Sequence, residues 1–413
     1  MDDIVVGIDV GTTKICTLVA RVEQEALRIM GVGIEPSEGI KKGVIVDLTA
    51  ASQAITRSII LAEQTSGVKI ETAVVSLAGA HVASINSRGV VAVSGHTVDE
   101  SDIERAMDSA RGVAIPNSRE VIHVIQRGFA LDGQDGIHQP VGMHGYRLEV
   151  EAHVITAATA TAENLRQAVG AAGVHVAQFV LNPLASADVV LTDTERNMGV
   201  VVCDIGGGTT DLAIYVNGDV WHTMVLAVGG NHITQDIAHG LRLPLSQAEE
   251  VKKQFGYAIQ ADISNDDVFN IQPFGAETPI RMSRRDMSLI IEARVEEMFD
   301  LALQEIKRSG YDGLLPAGMV LTGGTSLLPG IRQLATKVLG MPVRTAQPEK
   351  LLGLADKLGS PAYSTSVGLL TWAANLQTIP VSFRENPSKV PKAKKAESEN
   401  WNTVKDLLKR LLP

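Results

Sequence analysis

Ile8-Asp9-Val10-Gly11-Thr12-Thr13-Lys14 and Cys203-Asp204-Ile205-Gly206-Gly207-Gly208-Thr209-Thr210-Asp211 state one device twice in a single chain. An apolar run precedes each (Ile4 to Ile8, Val200 to Cys203), and another follows (Ile15 to Ala20, Leu212 to Val216). The pattern predicts strand, glycine-rich turn, strand. Glycine lets the backbone of such a turn bend freely and approach a ligand closely. Turn N–H groups and threonine hydroxyls can then cradle phosphate oxygens. Asp9 and Asp204 add negative charge where a divalent cation would sit. One Asp-x-Gly turn is commonplace; two, far apart in one chain, predict two facing lobes gripping one phosphorylated ligand.

Further along, Met319-Val320-Leu321-Thr322-Gly323-Gly324-Thr325-Ser326 gives a third strand-to-glycine turn. Its glycines permit close approach to a flat base and ribose, so the three turns together read as an adenine-nucleotide site. Neither the Walker A nor the Rossmann glycine pattern occurs in its strand-to-helix setting. Helices are expected over Asp47–Gln64, Glu163–Gly173, Ser246–Gly256 and Met287–Gly310, from Val228-Gly229-Gly230-Asn231 to His239, and from Pro329 to Leu339. Ser246-Gln247-Ala248-Glu249 fits a capping box. Glu71–Ala78 reads as a core strand. From about Ala83 to Ala162 the character changes. Strand patterns (Ser84–Val93, Val121–Leu131, Arg147–Thr156) flank a helical piece at Glu100–Arg111, which reads as a small inserted α+β subdomain.

At 413 residues, 45% hydrophobic and 20% charged, the chain is an ordinary globular protein with room for several domains. Its two cysteines, Cys16 and Cys203, fall inside apolar strand runs and read as buried free thiols. The ten histidines show no metal-ligand spacing. No signal peptide is expected, and no apolar run reaches the ~18 residues of a spanning helix. A net charge of −10 argues against a nucleic-acid binder. The charge is uneven, however. Residues 384–413 carry eight Lys/Arg against four Asp/Glu, a net of +4 on a remainder of −14. A basic tail on an acidic body points to a separate partner.

That tail ends in an amphipathic pattern. On a helical wheel Trp401, Val404, Leu407, Leu408, Leu411 and Leu412 share one arc of about 140°. Asn402, Thr403, Lys405, Asp406, Lys409 and Arg410 fill the other side. A tryptophan, four leucines and a lysine-bearing edge suit a membrane interface with anionic headgroups. Pro- and Lys-rich residues 383–400 read as a linker.

The order of these turns resembles the actin, sugar-kinase and DnaK-type ATPase superfamily. Gly39-Ile40-Lys41-Lys42-Gly43-Val44-Ile45-Val46-Asp47, Gly230-Asn231-His232-Ile233-Thr234-Gln235-Asp236-Ile237, Ser246-Gln247-Ala248-Glu249-Glu250-Val251-Lys252 and the tail narrow the resemblance to the FtsA family of bacterial division proteins. The resemblance implies an α/β, actin-like, two-lobed ATPase fold of two ribonuclease-H-like domains with an inserted α+β subdomain. It implies a first lobe of 1–82 and 163–198, to which 373–382 returns, with the insert at 83–162. The second lobe would hold 199–240 and 308–372, with a subdomain at 241–307, the linker at 383–400 and a membrane-targeting helix at 401–413.

ATP and Mg2+ would bind between the lobes. Gly11, Thr12, Thr13 and Lys14 would form one phosphate loop, and Gly206, Gly207, Gly208, Thr209 and Thr210 the other. Asp9 and Asp204 would hold Mg2+ through water. Gly229, Gly230 and Asn231 would also bind ATP, Glu249 and Lys252 would reach ribose or base, and Gly323, Gly324, Thr325 and Ser326 would line the adenosine pocket. Arg294, with Arg285 nearby, would meet the C-terminal peptide of FtsZ. The resemblance further implies self-assembly into filaments, later division proteins bound through the insert, and residence on the cytoplasmic face of the membrane at the division site.

One position departs from hydrolytic relatives. They carry Glu or Gln between the two hairpins to orient the attacking water; here Leu181-Asn182-Pro183 offers the shorter Asn182. That implies at most a slow ATPase, with ATP chiefly a structural ligand and Asp211 the other candidate for placing water. Alternatives in the same superfamily are a PilM- or MreB-like scaffold, a small-molecule kinase, or a chaperone-type ATPase.

Overall fold

The computed structural model describes residues 4–23, 26–112, 114–349 and 351–378. The expected linker 383–400 and the helix 401–413, with Trp401, Val404, Lys405, Leu407, Leu408, Lys409, Arg410, Leu411 and Leu412, lie outside the described residues.

The chain opens with a meander, β1 (Ile4–Val10), β2 (Lys14–Glu23) and β3 (Ala26–Pro36), followed by a small hairpin of β4 (Ile40–Lys41) and β5 (Val44–Ile45). Asp47 then caps α1 (Leu48–Ser66), its Oδ1 accepting from the Ala50 N–H at 3.0 Å. Gly67, at φ +70°, ends α1 with its N–H donating to the Glu63 carbonyl. Next comes β6 (Thr72–Leu77).

The region expected as an insert forms its own four-stranded sheet from β7 (Ala83–Ala92), β8 (Arg119–Leu131), β9 (Gln134–Ile137) and β10 (Arg147–Ala158), in the order β7-β10-β8-β9. Against it lies α2 (Glu100–Arg111), opened by a reciprocal Asp99–Asp102 capping box. Val98, Ala106, Phe129, Leu148 and Val150 belong to its separate apolar core. The chain returns through α3 (Thr159–Gly170), β11 (His175–Leu181), α4 (Asn182–Val190) and α5 (Asp193–Met198). It then builds β12 (Val200–Ile205), β13 (Thr210–Val216) and β14 (Asp219–Leu226). After these come α6 (Gly230–Leu241), α7 (Leu245–Phe255), the hairpin β15 (Val268–Ile271) and β16 (Ile280–Ser283), and α8 (Arg284–Ser309). The described chain closes with β17 (Met319–Thr322), α9 (Ile331–Leu339), β18 (Val343–Thr345), β19 (Leu351–Gly353) and α10 (Ser364–Thr378).

Two sheets repeat one topology. In the first, β3-β2-β1 are antiparallel neighbours, and β6 and β11 extend the sheet in parallel from β1. In the second, β14-β13-β12 are antiparallel, and β17 and β18 extend it in parallel from β12. The repeat reaches individual positions: Asp9 opposes Cys16 in one hairpin, and Asp204 opposes Asp211 in the other. Helices cover the faces of these sheets, which is why their central strands read as nearly unbroken apolar runs.

Several helix starts differ from expectation, α8 among them, which opens at Arg284 rather than Met287. The capping box at Ser246 does not form; α7 begins at Leu245 behind Pro244, and no side chain caps it. Proline's fixed φ suits a helix entry, and Glu249 is drawn instead to Thr234 and Lys252. α3 starts at Thr159 rather than Glu163, because the Thr159 N–H is already taken by the Ser118 carbonyl at 2.9 Å and the following alanines continue the helix.

The passage between the sheets is fastened by arginines. Arg196 bonds the Ala187 carbonyl at 2.8 Å and Asp188 at 3.0 Å. Arg344 of β18 grips Glu195 with contacts of 2.5 and 2.7 Å. Chiefly through Arg344, the Glu195 carboxyl falls from 4.5 to about 2. A depressed carboxyl stabilises the fold above its unfolded pKa, and that contribution fades as pH falls from the ordinary range towards the folded value. Arg344→Ala should therefore raise the midpoint of acid unfolding by about one pH unit, read by circular dichroism. Coincident acid transitions would remove this fastening from the account.

Candidate functional site

The three glycine turns meet around one cavity of about 480 Å³. Its walls include Gly11 to Lys14, Gly206 to Thr209, Gly230 and Asn231 of α6, Glu249 and Lys252 of α7, and Gly323 to Thr325. The first two turns face each other at van der Waals range. A Cβ on Gly207 would fall 2.1 Å from Thr13 Oγ1, and one on Gly208 would fall 2.5 Å from Thr12 Oγ1. Backbone bonds brace the second turn from behind, Gly230 N–H to the Gly206 carbonyl at 2.9 Å and Asn231 N–H to the Gly207 carbonyl at 2.7 Å. Thr325 of the third turn donates its hydroxyl to the same Gly206 carbonyl at 2.9 Å.

Three expected site residues hold these turns without lining the cavity. Thr210 donates to the Val228 carbonyl at 2.8 Å, Ser326 donates to the Gly323 carbonyl at 2.7 Å, and Gly229 packs on Gly206 and Gly207. Lys14 lines the cavity, but its Nζ donates to the Ala362 carbonyl at 2.6 Å and lies 4.5 Å above the Tyr363 ring.

Asp9, Asp204, Asp211 and Asn182 line the cavity as one interacting group. The carboxylates are 8%, 5% and 1% exposed. Sequence reading missed what holds them. Asp9 accepts from Ser76 of β6 at 3.1 Å and from Ser366 at 2.7 Å, while Asp204 accepts from Ser186 of α4 and from Thr365 at 2.8 Å. Thr365 and Ser366 are neighbours in α10, so one helix turn fixes the aspartates of both hairpins. Burial pushes the Asp204 carboxyl up, against the pull of Ser186 and Thr365. Asp211 is driven well above the usual carboxylate range by burial, then by the Asp204 charge.

Asn182 Oδ1 is buried and has no hydrogen-bond partner, while the Asn182 side chain itself supports the Asp211 carboxylate. A buried amide oxygen left alone is costly. A donor completes it, such as a water or the hydration shell of a cation, rather than a phosphate oxygen. Among the described residues no group of three or more His, Cys, Asp and Glu is arranged to hold a metal ion directly. That donor set fits a cation held through water and ligand oxygens, the habit of Mg2+.

Elsewhere in the lining Glu249 and Lys252 form a 2.6 Å ion pair, and Lys252 also donates to the Gly230 carbonyl and to Thr234. Burial would raise the Glu249 carboxyl, but Lys252 and Thr234 outweigh it and bring it down. Cys16 and Cys203 are buried free thiols beside the hairpins, and burial pushes Cys16 up to about 12. Arg294 and Arg285 lie on α8, away from the cavity. Arg294 is engaged by both oxygens of Asp236, at 2.5 and 3.0 Å, and by Glu297; Arg285 donates to Gln260 and Asn265.

The profile of the family described as "Cell division protein FtsA" matches residues 201–368, and that of the "SHS2 domain inserted in FTSA" matches residues 79–156. The cell division protein FtsA of Pseudomonas aeruginosa is 40% identical over 394 residues, covering 94% of each chain. That of Bacillus subtilis is 37% identical, covering 93% of this chain and 87% of its own. Among solved structures, the PilM-PilN type IV pilus biogenesis complex superposes with a TM-score of 0.62 at 18% identity, covering 89% of this chain and 98% of that one. MreB5 of Spiroplasma citri bound to ADP gives 0.54 at 17% identity, covering 91% and 99%. These two share the actin-like fold with this chain.

Proposed function

The chain belongs to the FtsA family of cell division proteins, and on that premise we propose that it is an ATP-binding adaptor tying FtsZ filaments to the cytoplasmic membrane at the septum. The observation that carries the ligand is the convergence of three glycine turns on one cavity that is also lined by Asp9, Asp204 and Asp211 and by the Glu249–Lys252 pair. In this reading Gly11 to Lys14 and Gly206 to Thr209 take the phosphates, and Gly323 to Thr325 the adenosine. Glu249 and Lys252 meet the ribose or base. Asp9 and Asp204 would hold Mg2+ through water, and the ion would supply neutralisation of phosphate charge. Asn182 offers an amide one methylene shorter than the Gln of hydrolytic relatives, and a poorer base than their Glu, so ATP acts chiefly to close the cavity.

Closed subunits then assemble into filaments, residues 83–162 contact later division proteins, and the basic amphipathic tail meets the inner face of the membrane. Arg294 of α8 takes the acidic FtsZ peptide, with Arg285 about two and a half turns nearer the helix start as a further contact. Arg294 is there already paired with Asp236, so the peptide must compete with that carboxylate. A single experiment tests the adaptor and its slow turnover together. Full-length protein is sedimented with FtsZ filaments in ATP, with and without the FtsZ C-terminal peptide, while phosphate release is followed. Peptide-dependent pelleting with little phosphate is expected. Pelleting indifferent to the peptide would end the adaptor reading, and steady release at the rate of a filament-forming actin relative would end the structural role of ATP.

A further inference from the structure

Behind the second phosphate turn, the start of α6 is closed by an imidazole. Gly229, the residue before the helix, donates its N–H to His232 Nδ1 at 3.1 Å, and the His232 N–H donates to the Gly229 carbonyl at 2.9 Å. This is the reach-back of a capping box with histidine in the place usual for Glu or Gln. The segment it fixes is the one that braces the turn through Gly230 and Asn231. Gly229 has no room for a side chain of its own, since a Cβ would fall 2.7 Å from the Gly206 carbonyl oxygen and 2.9 Å from that of Gly207. A carboxylate or amide cap accepts throughout the physiological range. An imidazole accepts only while neutral; once protonated, both of its nitrogens donate. Nδ1–H would then confront the Gly229 N–H, and the cap would open.

We propose that His232 is a positioning residue for the phosphate turn and that its protonation weakens nucleotide binding by releasing Gly229. The proposal rests on the nucleotide-binding reading above. The groups around the ring set the range. Burial first, then Lys42 from the β4–β5 turn and Arg294 from α8, hold His232 below its ordinary 6.5, while the Gly229 backbone and Asp236 on α6 pull the other way. Lys42 belongs to the side of the first sheet and His232 to that of the second. Closing the cavity and keeping the ring neutral therefore favour one another. The sign follows: the cap is intact at high pH and is lost as pH falls through the lowered histidine value.

The test uses full-length protein titrated with N-methylanthraniloyl-ATP at about pH 8 and about pH 5.5, on either side of an ordinary histidine pKa. His232→Asn keeps an acceptor at the same bond distance from the backbone and does not titrate. The same short reach already works in α2, where Asp102 accepts from the Asp99 N–H at 3.2 Å. His232→Ala removes the acceptor altogether. Between the two pH values the natural protein should lose about fivefold more affinity than His232→Asn, roughly the worth of one helix cap. His232→Ala should be weak at both. Comparison with His232→Asn cancels the ionisation of the probe's own phosphates.

Hydrogen exchange of the Gly229–Asn231 amides in ligand-free protein gives a second readout. Protection at about pH 5.5 should be lower in the natural protein than in His232→Asn. Matching pH profiles for the two proteins in exchange would overturn the proposal, as would matching profiles in binding. Absence of probe binding at every pH would instead refute the nucleotide reading, and exchange alone would then decide the role of His232.

Discussion

Gly323→Ala is expected to lower ATP affinity by about 100-fold or more, the cost of displacing a turn that a few kcal/mol hold in place. Gly323 sits at φ +83°, a left-handed backbone that alanine adopts only with strain. A Cβ there would also lie 2.3 Å from Asp204 Oδ1 and 2.6 Å from the Ile205 carbonyl oxygen. Neither neighbour can yield easily. Ile205 ends the central strand β12, whose Asp204 is in register with Thr322 of β17, and Asp204 is itself held by Ser186 and Thr365. The third turn must move instead, carrying Thr325 away from the Gly206 carbonyl and loosening the second phosphate turn. Gly324→Ala is the control, because a Cβ there meets only Ala362, at 3.7 Å. Fluorescent-nucleotide titration should find Gly324→Ala within about fivefold of the natural protein, the scale of one small lost contact. Equal affinities for the two variants would show that the approach at Gly323 does not shape the site.

The contrast between these glycines marks what a sequence reveals and what it withholds. Both hairpins around Asp9 and Asp204 were legible, because an apolar run broken by a glycine turn is a local signal that tertiary structure rarely overrides. α2 was legible to the residue, Glu100 to Arg111, since its Asp99–Asp102 box lies within four positions of sequence. The start of α3 was not, for no side chain caps it at Ala158 and the deciding bond comes from Ser118. The hydroxyls that steady the carboxylates were hidden for a further reason. Ser76, Ser186, Thr365 and Ser366 come from β6, α4 and α10, and small hydroxyl residues occur throughout the chain. Only the folded pairing of the two sheets makes Thr365 and Ser366 a crossbeam. Likewise the sequence distinguished His232 only as part of a motif; its part in closing α6 needed the position of the Gly229 N–H.

The second large effect concerns the tail, where the argument is one of charge and pattern. Protein ending at Asn400 should lose vesicle pelleting almost completely, at least about tenfold, because an interfacial helix contributes through buried apolar area together with attraction to anionic lipid. Six apolar residues, Trp401 to Leu412, share the face that would be lost, and Lys405, Lys409 and Arg410 its polar edge. Two destinations compete for that tail, since the remainder of the chain is itself acidic, at −14 against the +4 of residues 384–413. Salt alone does not separate them, because it screens both attractions. Lipid does. Full-length protein should pellet with vesicles containing phosphatidylglycerol, and far less with phosphatidylcholine alone. Leu408→Glu, which puts a charge in the middle of the apolar face, should match the truncation while leaving nucleotide binding intact. A single short helix binds weakly, so pelleting should also rise steeply with protein concentration as subunits assemble and their tails act together. Equal pelleting of full-length and truncated protein would place the membrane contact elsewhere and leave the apolar face of the tail for the acidic body.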